Sequence, residues 1–337
     1  MLRPLLRRSG SLFHFPLLLH TVSTPRTLEE AIKGAVESKT YQQIPDILAS
    51  FGNSWKNANP FSFLSTFPQN RRTQIIDAIL QSFIHLRPRF RPQIAYDYLL
   101  LYALQNPSPF PIAFAILQRA LRSGCLPVPQ THLLLSAAWL RCRSQYVSVA
   151  KILLDMQSIG YQPDCGTCNY LISSLCDVDQ WLEATEVLKG MFGAGCIPDL
   201  ESYGTVISKM CRARKTGDAI EMMKEMVVKI GLNPRQGTVA KLAAALRANR
   251  EVWKGVEMIE FLEKEGCPVG FESYETVLEG CLECREYILA GKVVMGMTGK
   301  GFIPYIKFRQ KVVEGLAGAG EWKLACVVRQ RFTELSS

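Results

Sequence analysis

The chain of 337 residues holds only four histidines: His14, His20, His85 and His132. None is followed two places on by Glu, so the His-x-Glu segment that sets a proton carrier beside a zinc ligand is missing. A Gly-Lys-Ser/Thr phosphate loop and a Gly-x-Ser-x-Gly elbow are also missing, which removes two common routes to phosphoryl and acyl transfer. No apolar run reaches the ~20 residues that span a bilayer. The longest early one, Leu12 to Leu19, is interrupted by His14 and Pro16. These absences predict a protein with no catalytic residues, no cofactor, no bound metal and no membrane span.

Acid is absent before Glu29, whereas Arg3, Arg7, Arg8 and Arg26 precede it. Residues 1–26 are thus basic and rich in Leu and Ser, the composition of an organelle transit peptide. Mitochondrial import is the first expectation and plastid import the second. The net charge of +9 suggests nucleic acid, but the excess is uneven. Residues 165–305 carry 16 Lys/Arg against 19 Asp/Glu, so the centre of the chain is slightly acidic.

Eleven cysteines is an odd count, and reduced, mostly buried thiols fit better than a disulfide framework. Cys165/Cys168 and Cys281/Cys284 each have half-site spacing for zinc. The first pair straddles a repeat boundary and the second lies within a helix, more than a hundred residues away. A closed four-ligand site is therefore not expected.

The dominant signal is internal repetition. Met156/Gly160/Pro163, Met191/Gly195/Pro198 and Met297/Gly301/Pro304 share one spacing. Glycine ends a helix in the left-handed conformation and proline prevents its resumption. Looser copies are Ala120/Gly124/Pro127, Met226/Gly231/Pro234 and Leu262/Gly266/Pro268. A small residue recurs where the second helix of each unit crosses the first: Ala113, Ala184, Ala219, Gly255, Ala290 and Ala325. The implied units are 93–128, 129–164, 165–199, 200–235, 236–270 and 271–305, with a partial one at 306–337. Each is two amphipathic helices that bury their apolar faces only by stacking. Residues 27–92 also read as helical (Leu28–Val36, Ile44–Phe51, Arg72–Leu86) but as a degenerate region without clear repeats.

The unit from Cys165 to Cys176, closing at Gly195-Cys-Ile-Pro-Asp199, resembles a P-type pentatricopeptide repeat. The period of ~35 separates it from the 34-residue tetratricopeptide pattern, whose Trp-x2-Leu-Gly-x2-Tyr core is missing. The resemblance covers about residues 93–337. It implies an all-α fold, a right-handed superhelical α-solenoid of helix-turn-helix repeats, of the plant organellar type. The deaminase-like extension that some members carry is not expected, because its His-x-Glu segment is missing from these residues.

The resemblance further implies binding of single-stranded organellar RNA, one base per repeat, in transcript processing, stability or translation. In the family the fifth and last residues of a unit read the base. Asn169 and Asp199 make the best pair and imply a pyrimidine, uracil favoured. Asp97, Asp164, Gly204, Arg235, Glu275 and Gln310 occupy equivalent positions. Arg141 and Arg212 fall where the family faces the RNA backbone, and His132 falls at an aromatic packing position. The irregular pairs keep a second expectation open, a scaffold bound to a ribonucleoprotein or to ribosomal proteins, and the chain is expected to be monomeric outside a complex.

Overall fold

The structure is a computed structural model that describes residues 27–51, 59–107, 109–144 and 148–335. The basic leader, 1–26, lies outside the described residues. Among those described there are seventeen α-helices and no strand. The N-terminal region holds α1 (Leu28–Glu37), α2 (Ile44–Ser50) and α3 (Gln69–Phe83). Helix α3 starts directly after Pro68, earlier than the apolar periodicity indicates. It stops at Phe83 because residues 84 and 86 close tight i→i+3 turns instead.

Seven helix pairs follow. They are α4 (Gln93–Leu104) with α5 (Phe110–Arg122), α6 (Gln130–Arg143) with α7 (Val149–Leu154), and α8 (Cys165–Asp177) with α9 (Trp181–Gly193). Next come α10 (Leu200–Arg212) with α11 (Thr216–Val228), and α12 (Gln236–Ala248) with α13 (Val252–Lys264). The last are α14 (Phe271–Glu283) with α15 (Tyr287–Gly299), and α16 (Ile306–Gly318) with α17 (Trp322–Glu334).

Local sequence explains both ends of these hairpins. Second helices stop at Gly124, Gly195, Gly231, Gly266 and Gly301, all left-handed with φ between 72° and 79°. The chain then closes a Schellman turn, as in Cys196 N–H to Met191 O at 2.9 Å and Cys267 N–H to Leu262 O at 2.8 Å. The turns inside the hairpins α8–α9, α10–α11, α12–α13 and α14–α15 are also left-handed, but they are built from Asp179, Arg214, Arg250 and Arg285, with φ from 57° to 62°. That conformation costs an L-residue about 1–2 kcal/mol. It is held by a wrap-around bond such as Glu286 N–H to Cys281 O at 2.8 Å.

Packing is layered. First helices α4, α6, α8, α10, α12, α14 and α16 form one row, each lying along the next. In the middle of the array α8, α10, α12 and α14 pack closely while α9, α11 and α13 touch far less; at the two ends α5 with residues 155–159, α7 with α9, and α15 with α17 also meet closely. In the middle of the array the closely spaced first helices are therefore the inner, concave side of the solenoid. Between the layers runs one core containing Tyr96, Tyr203, Tyr274, Leu171, Val206, Leu242 and Val277, all buried. The small residues Ala113, Ala184, Ala219 and Ala290 are fully covered in it. At Gly255 an added methyl group would meet Val277 of the next unit at 3.2 Å, so the smallness sets the helix spacing. Residues 27–92 close the N-terminal end of the stack. Asn59 donates to Tyr98 O at 2.9 Å and Arg72 to Asn106 Oδ1 at 3.1 Å.

Candidate nucleic-acid interface

The concave face is lined by the exposed sides of the first helices, and the exposed Asp199 meets the buried Asn169 at its floor. Asp199 is the N-cap of α10: its Oδ1 accepts from Glu201 N–H and Ser202 N–H, both at 2.9 Å. Ser202 Oγ returns the bond from Asp199 N–H at 3.1 Å, completing a capping box. The same Oδ1 accepts from Asn169 Nδ2 at 3.1 Å, and Asn169 Oδ1 accepts from Ser202 Oγ. Burial alone would raise the Asp199 carboxyl. The Ser202 backbone N–H, with the Cys165 thiol, the Asn169 amide and the Ser202 hydroxyl, outweighs it and holds the group below the usual carboxylate range. The pair is thus a hydrogen-bonded unit that carries the negative charge of an ionised carboxylate.

Asp97 is buried, with Gln93 Nε2 at 3.2 Å and Val128 N–H at 3.3 Å. Burial pushes its pKa up; the Gln93 amide and the Val128 N–H pull it partly back. A carboxyl whose folded pKa is raised costs nothing below its unfolded value of about 4. The cost appears as pH rises through the folded value. Asp97→Asn, which keeps an acceptor for Val128, is therefore expected to raise stability at neutral pH. The gain is about 1 kcal/mol, the scale of one buried polar adjustment. Urea midpoints at neutral pH and below pH ~4 check it, because the advantage must vanish in acid.

The remaining candidates differ in character. Asp164 caps α8 through Thr167 N–H at 2.9 Å and is bridged by Arg122 at 2.9 Å. Gly204 and Arg235 line one open cavity together with Arg212. Arg141 donates to Leu104 O at 3.2 Å, covering the end of α4. Glu275 accepts from Tyr305 N–H at 3.3 Å, and Gln310 donates to Glu314 at 2.6 Å. Burial raises the Glu275 carboxyl above its usual range; Tyr305 and Lys307 oppose this and Glu279 adds to it.

In α6 the buried residues are Thr131, Leu135, Ser136, Ala138, Trp139 and Cys142. His132, expected at the aromatic packing position, is only part-buried and stacks on Tyr170 of α8 with ring centroids 4.6 Å apart. Its Nδ1 lies 2.8 Å from Ser174 Oγ.

Helix α14 places Glu272, Glu275, Glu279 and Glu283 along one side. Arg247 of α12 forks onto Glu279 and Glu283. One cation thereby holds two carboxylates, and the ridge stays net acidic. Most cysteines are covered: Cys168, Cys176 and Cys281 are buried, and burial pushes the Cys281 thiol up to about 12, whereas the part-buried Cys165 reaches the face through Asp199 and Ser202. Among the described residues no group of three or more His, Cys, Asp or Glu side chains could hold a metal ion.

Comparison with known proteins gives consistent likenesses. Two family models described as PPR repeat match residues 166–196 and 194–227. A pentatricopeptide repeat-containing protein of Arabidopsis thaliana is 64% identical over 317 residues, spanning 94% of this chain and 92% of that one. The crystal structure of the pentatricopeptide repeat protein PPR10 from maize is 14% identical, with 94% of this chain and 55% of that one covered and a TM-score of 0.40. PPR10 in complex with an 18-nt psaJ RNA element is 15% identical, with coverages of 94% and 49% and a TM-score of 0.35. The chain spans about half the length of these two structures.

Proposed function

The chain belongs to the pentatricopeptide repeat family, and from that premise we propose that it binds a short single-stranded segment of organellar RNA without acting on it chemically. The observation that carries this reading is the Asn169–Asp199 unit, a fixed donor and acceptor pair on the concave face beside a groove lined by Arg212 and Arg235. Such a surface holds a base edge and the adjoining phosphates, shielding the segment from nucleases or from pairing. Import into the mitochondrion, with the plastid second, is proposed from the basic leader. The outcome served is processing, stability or translation of a transcript.

A salt titration of the mature chain against uracil-rich and purine-rich oligomers tests this. The expected result is preferential binding to the uracil-rich strand. For about three phosphate contacts, log K should fall with log salt at a slope near −2. No binding at low salt overturns the proposal.

The ridge of α14 favours a second role in part of the array. Four glutamates on one side repel a nucleic-acid backbone, so the face of α14 suits a basic protein partner, such as a ribosomal protein, better than RNA. Co-sedimentation with a large organellar particle, lost on charge reversal of Glu272 and Glu275, checks this.

A further inference from the structure

One unit of the array departs from its neighbours where the first helix meets the end of the second. In α4, α10 and α14 the fourth residue of the unit is Tyr96, Tyr203 or Tyr274, each buried. In α8 the same place holds Cys168, also buried. The side chain at this place meets the residue after the helix-ending glycine: Tyr274 lies against Phe302 with ring centroids 6.1 Å apart. In the α8–α9 unit that residue is Cys196, so sulfur meets sulfur, and the two are hydrogen-bonded to each other. Thiols at the corresponding place in other units meet oxygen instead. Cys125 donates to Arg89 O at 3.7 Å and Cys267 to Asn233 Oδ1 at 3.2 Å.

A third thiol joins the pair. Cys165, one turn earlier on α8, is half-buried, lies 3.8 Å from Ser202 Oγ and hydrogen-bonds to Asp199 and Cys196. Ionisation within the cluster is uneven. The Cys168 thiol donates to Cys196 and lowers its pKa; burial and the Asp164 carboxylate oppose this, the Cys165 thiol adds to it and Asp199 opposes it. That same bond and burial hold Cys168 protonated. Burial and the Asp199 carboxylate push Cys165 up to about 12. The thiolate is the form that attacks a peroxide, so Cys196 reacts first. Access agrees with this order, since Cys196 keeps 6% of its surface open and Cys168 only 1%.

We propose that Cys168 and Cys196 are a modification site, a dithiol that hydrogen peroxide converts to a disulfide. The Cys196 thiolate attacks one peroxide oxygen, the O–O bond breaks, and hydroxide leaves Cys196 as a sulfenic acid. The Cys168 sulfur then attacks the Cys196 sulfur, the S–O bond breaks, and the Cys168 proton leaves with the hydroxyl as water. Summed, two thiols and one hydrogen peroxide give one disulfide and two waters; the thiols lose two electrons and the peroxide gains them. The new bond closes the α8–α9 hairpin into a loop beside Asn169 and Asp199. The site stands whether or not the chain binds RNA.

The test uses the full mature chain, reduced, exposed to hydrogen peroxide, blocked at its free thiols and digested without reductant. The expected result is a peptide pair linked through Cys168 and Cys196, released by a dithiol reductant. A link from Cys196 to Cys165 overturns the assignment, as do oxidation confined to the exposed Cys326 and a chain whose thiols all stay free. Cys168→Ser removes the second sulfur, so the sulfenic acid should persist, and dimedone should label Cys196 roughly tenfold more than in the natural chain. Equal labelling of the two chains overturns the proposed order of reaction. Should serine at 168 unfold α8, the map of the natural chain decides, because it needs no substitution. Bridging is also expected to raise the melting temperature, since the closed loop restricts the unfolded chain. A bridged chain that melts lower than the reduced one would show that the sulfurs are not placed for bonding, and overturns the site.

Discussion

Replacing Trp139 by alanine is expected to cost about 3–5 kcal/mol, the range for truncating a fully buried aromatic residue. Trp139 is wholly covered, sits edge-on to Phe110 with centroids 5.4 Å apart, and donates from Nε1 to Glu183 at 3.1 Å. It thereby ties α5, α6 and α9 together. Glu183 also accepts from Arg143 at 3.0 Å, so losing the indole loosens a partly buried ion pair as well as opening a cavity. In a stacked array each unit is stabilised mainly by its neighbours, so a cut at one junction spreads. Urea unfolding should show a lower midpoint and a broader transition, as the units before and after α6 uncouple. Trp322→Ala is the control: it is 65% exposed and should change stability by no more than about 0.5 kcal/mol. A cost below about 1 kcal/mol at Trp139 would refute its role as a junction.

The second large effect separates folding from recognition at Asp199. Asp199→Ala removes the N-cap of α10 and is expected to cost about 1–2 kcal/mol. Asp199→Asn preserves an oxygen for the Glu201 and Ser202 N–H groups, and asparagine caps about as well as aspartate, so stability should move by under about 0.5 kcal/mol. Base preference should nevertheless change, because the charge facing the RNA is gone. Combined with Asn169→Ala, discrimination at one nucleotide of a single-substitution oligomer panel should drop roughly tenfold. Unchanged preference in a stably folded Asp199→Asn chain would show that the carboxylate is not read. Acid gives a further check. The depressed Asp199 carboxyl stabilises the fold fully above its unfolded value of about 4 and loses this as pH falls through its folded value. Natural chain and Asp199→Asn should therefore converge on acidification below about pH 4.

The parts of the fold that were legible in sequence are those governed by one residue's backbone. Gly195 and Gly301 mark helix ends because only glycine adopts their φ without strain, and the apolar spacing of α10 gives its buried side directly. The hairpin turns carry no such mark. Asp179, Arg214, Arg250 and Arg285 adopt the left-handed form under compulsion from the packed helices around them, which no local composition reveals. The place of His132 was illegible for a related reason: its stacking on Tyr170 depends on how α6 lies against α8.

At the site, chemical type was visible but coupling was not. Asn169 and Asp199 stand out by residue identity. That Asp199 also caps α10, and that the two share Ser202, depends on the close approach of α8 to α10. Arg212 and Arg235 could be named singly, yet Lys209 and Lys241 line the same cavity only because the two first helices α10 and α12 lie side by side. Arg247, equally basic in sequence, is removed from such a role by Glu279 and Glu283.

Those glutamates have a consequence for how a polyanion arrives. A cationic patch on α10 and α12 next to an acidic ridge on α14 makes an electric field that changes sign over one repeat, well within reach of an approaching strand. Diffusional encounters are drawn to α10 and α12 and turned away from α14 itself, with Lys307 and Lys311 of α16 restoring positive charge beyond it, so encounters are sorted by position before any base is contacted. The sorting acts on the rate of capture, and it fades as salt shortens the range of the field. In kinetic terms α14 works as a stop that sets where along the groove the first contact is made.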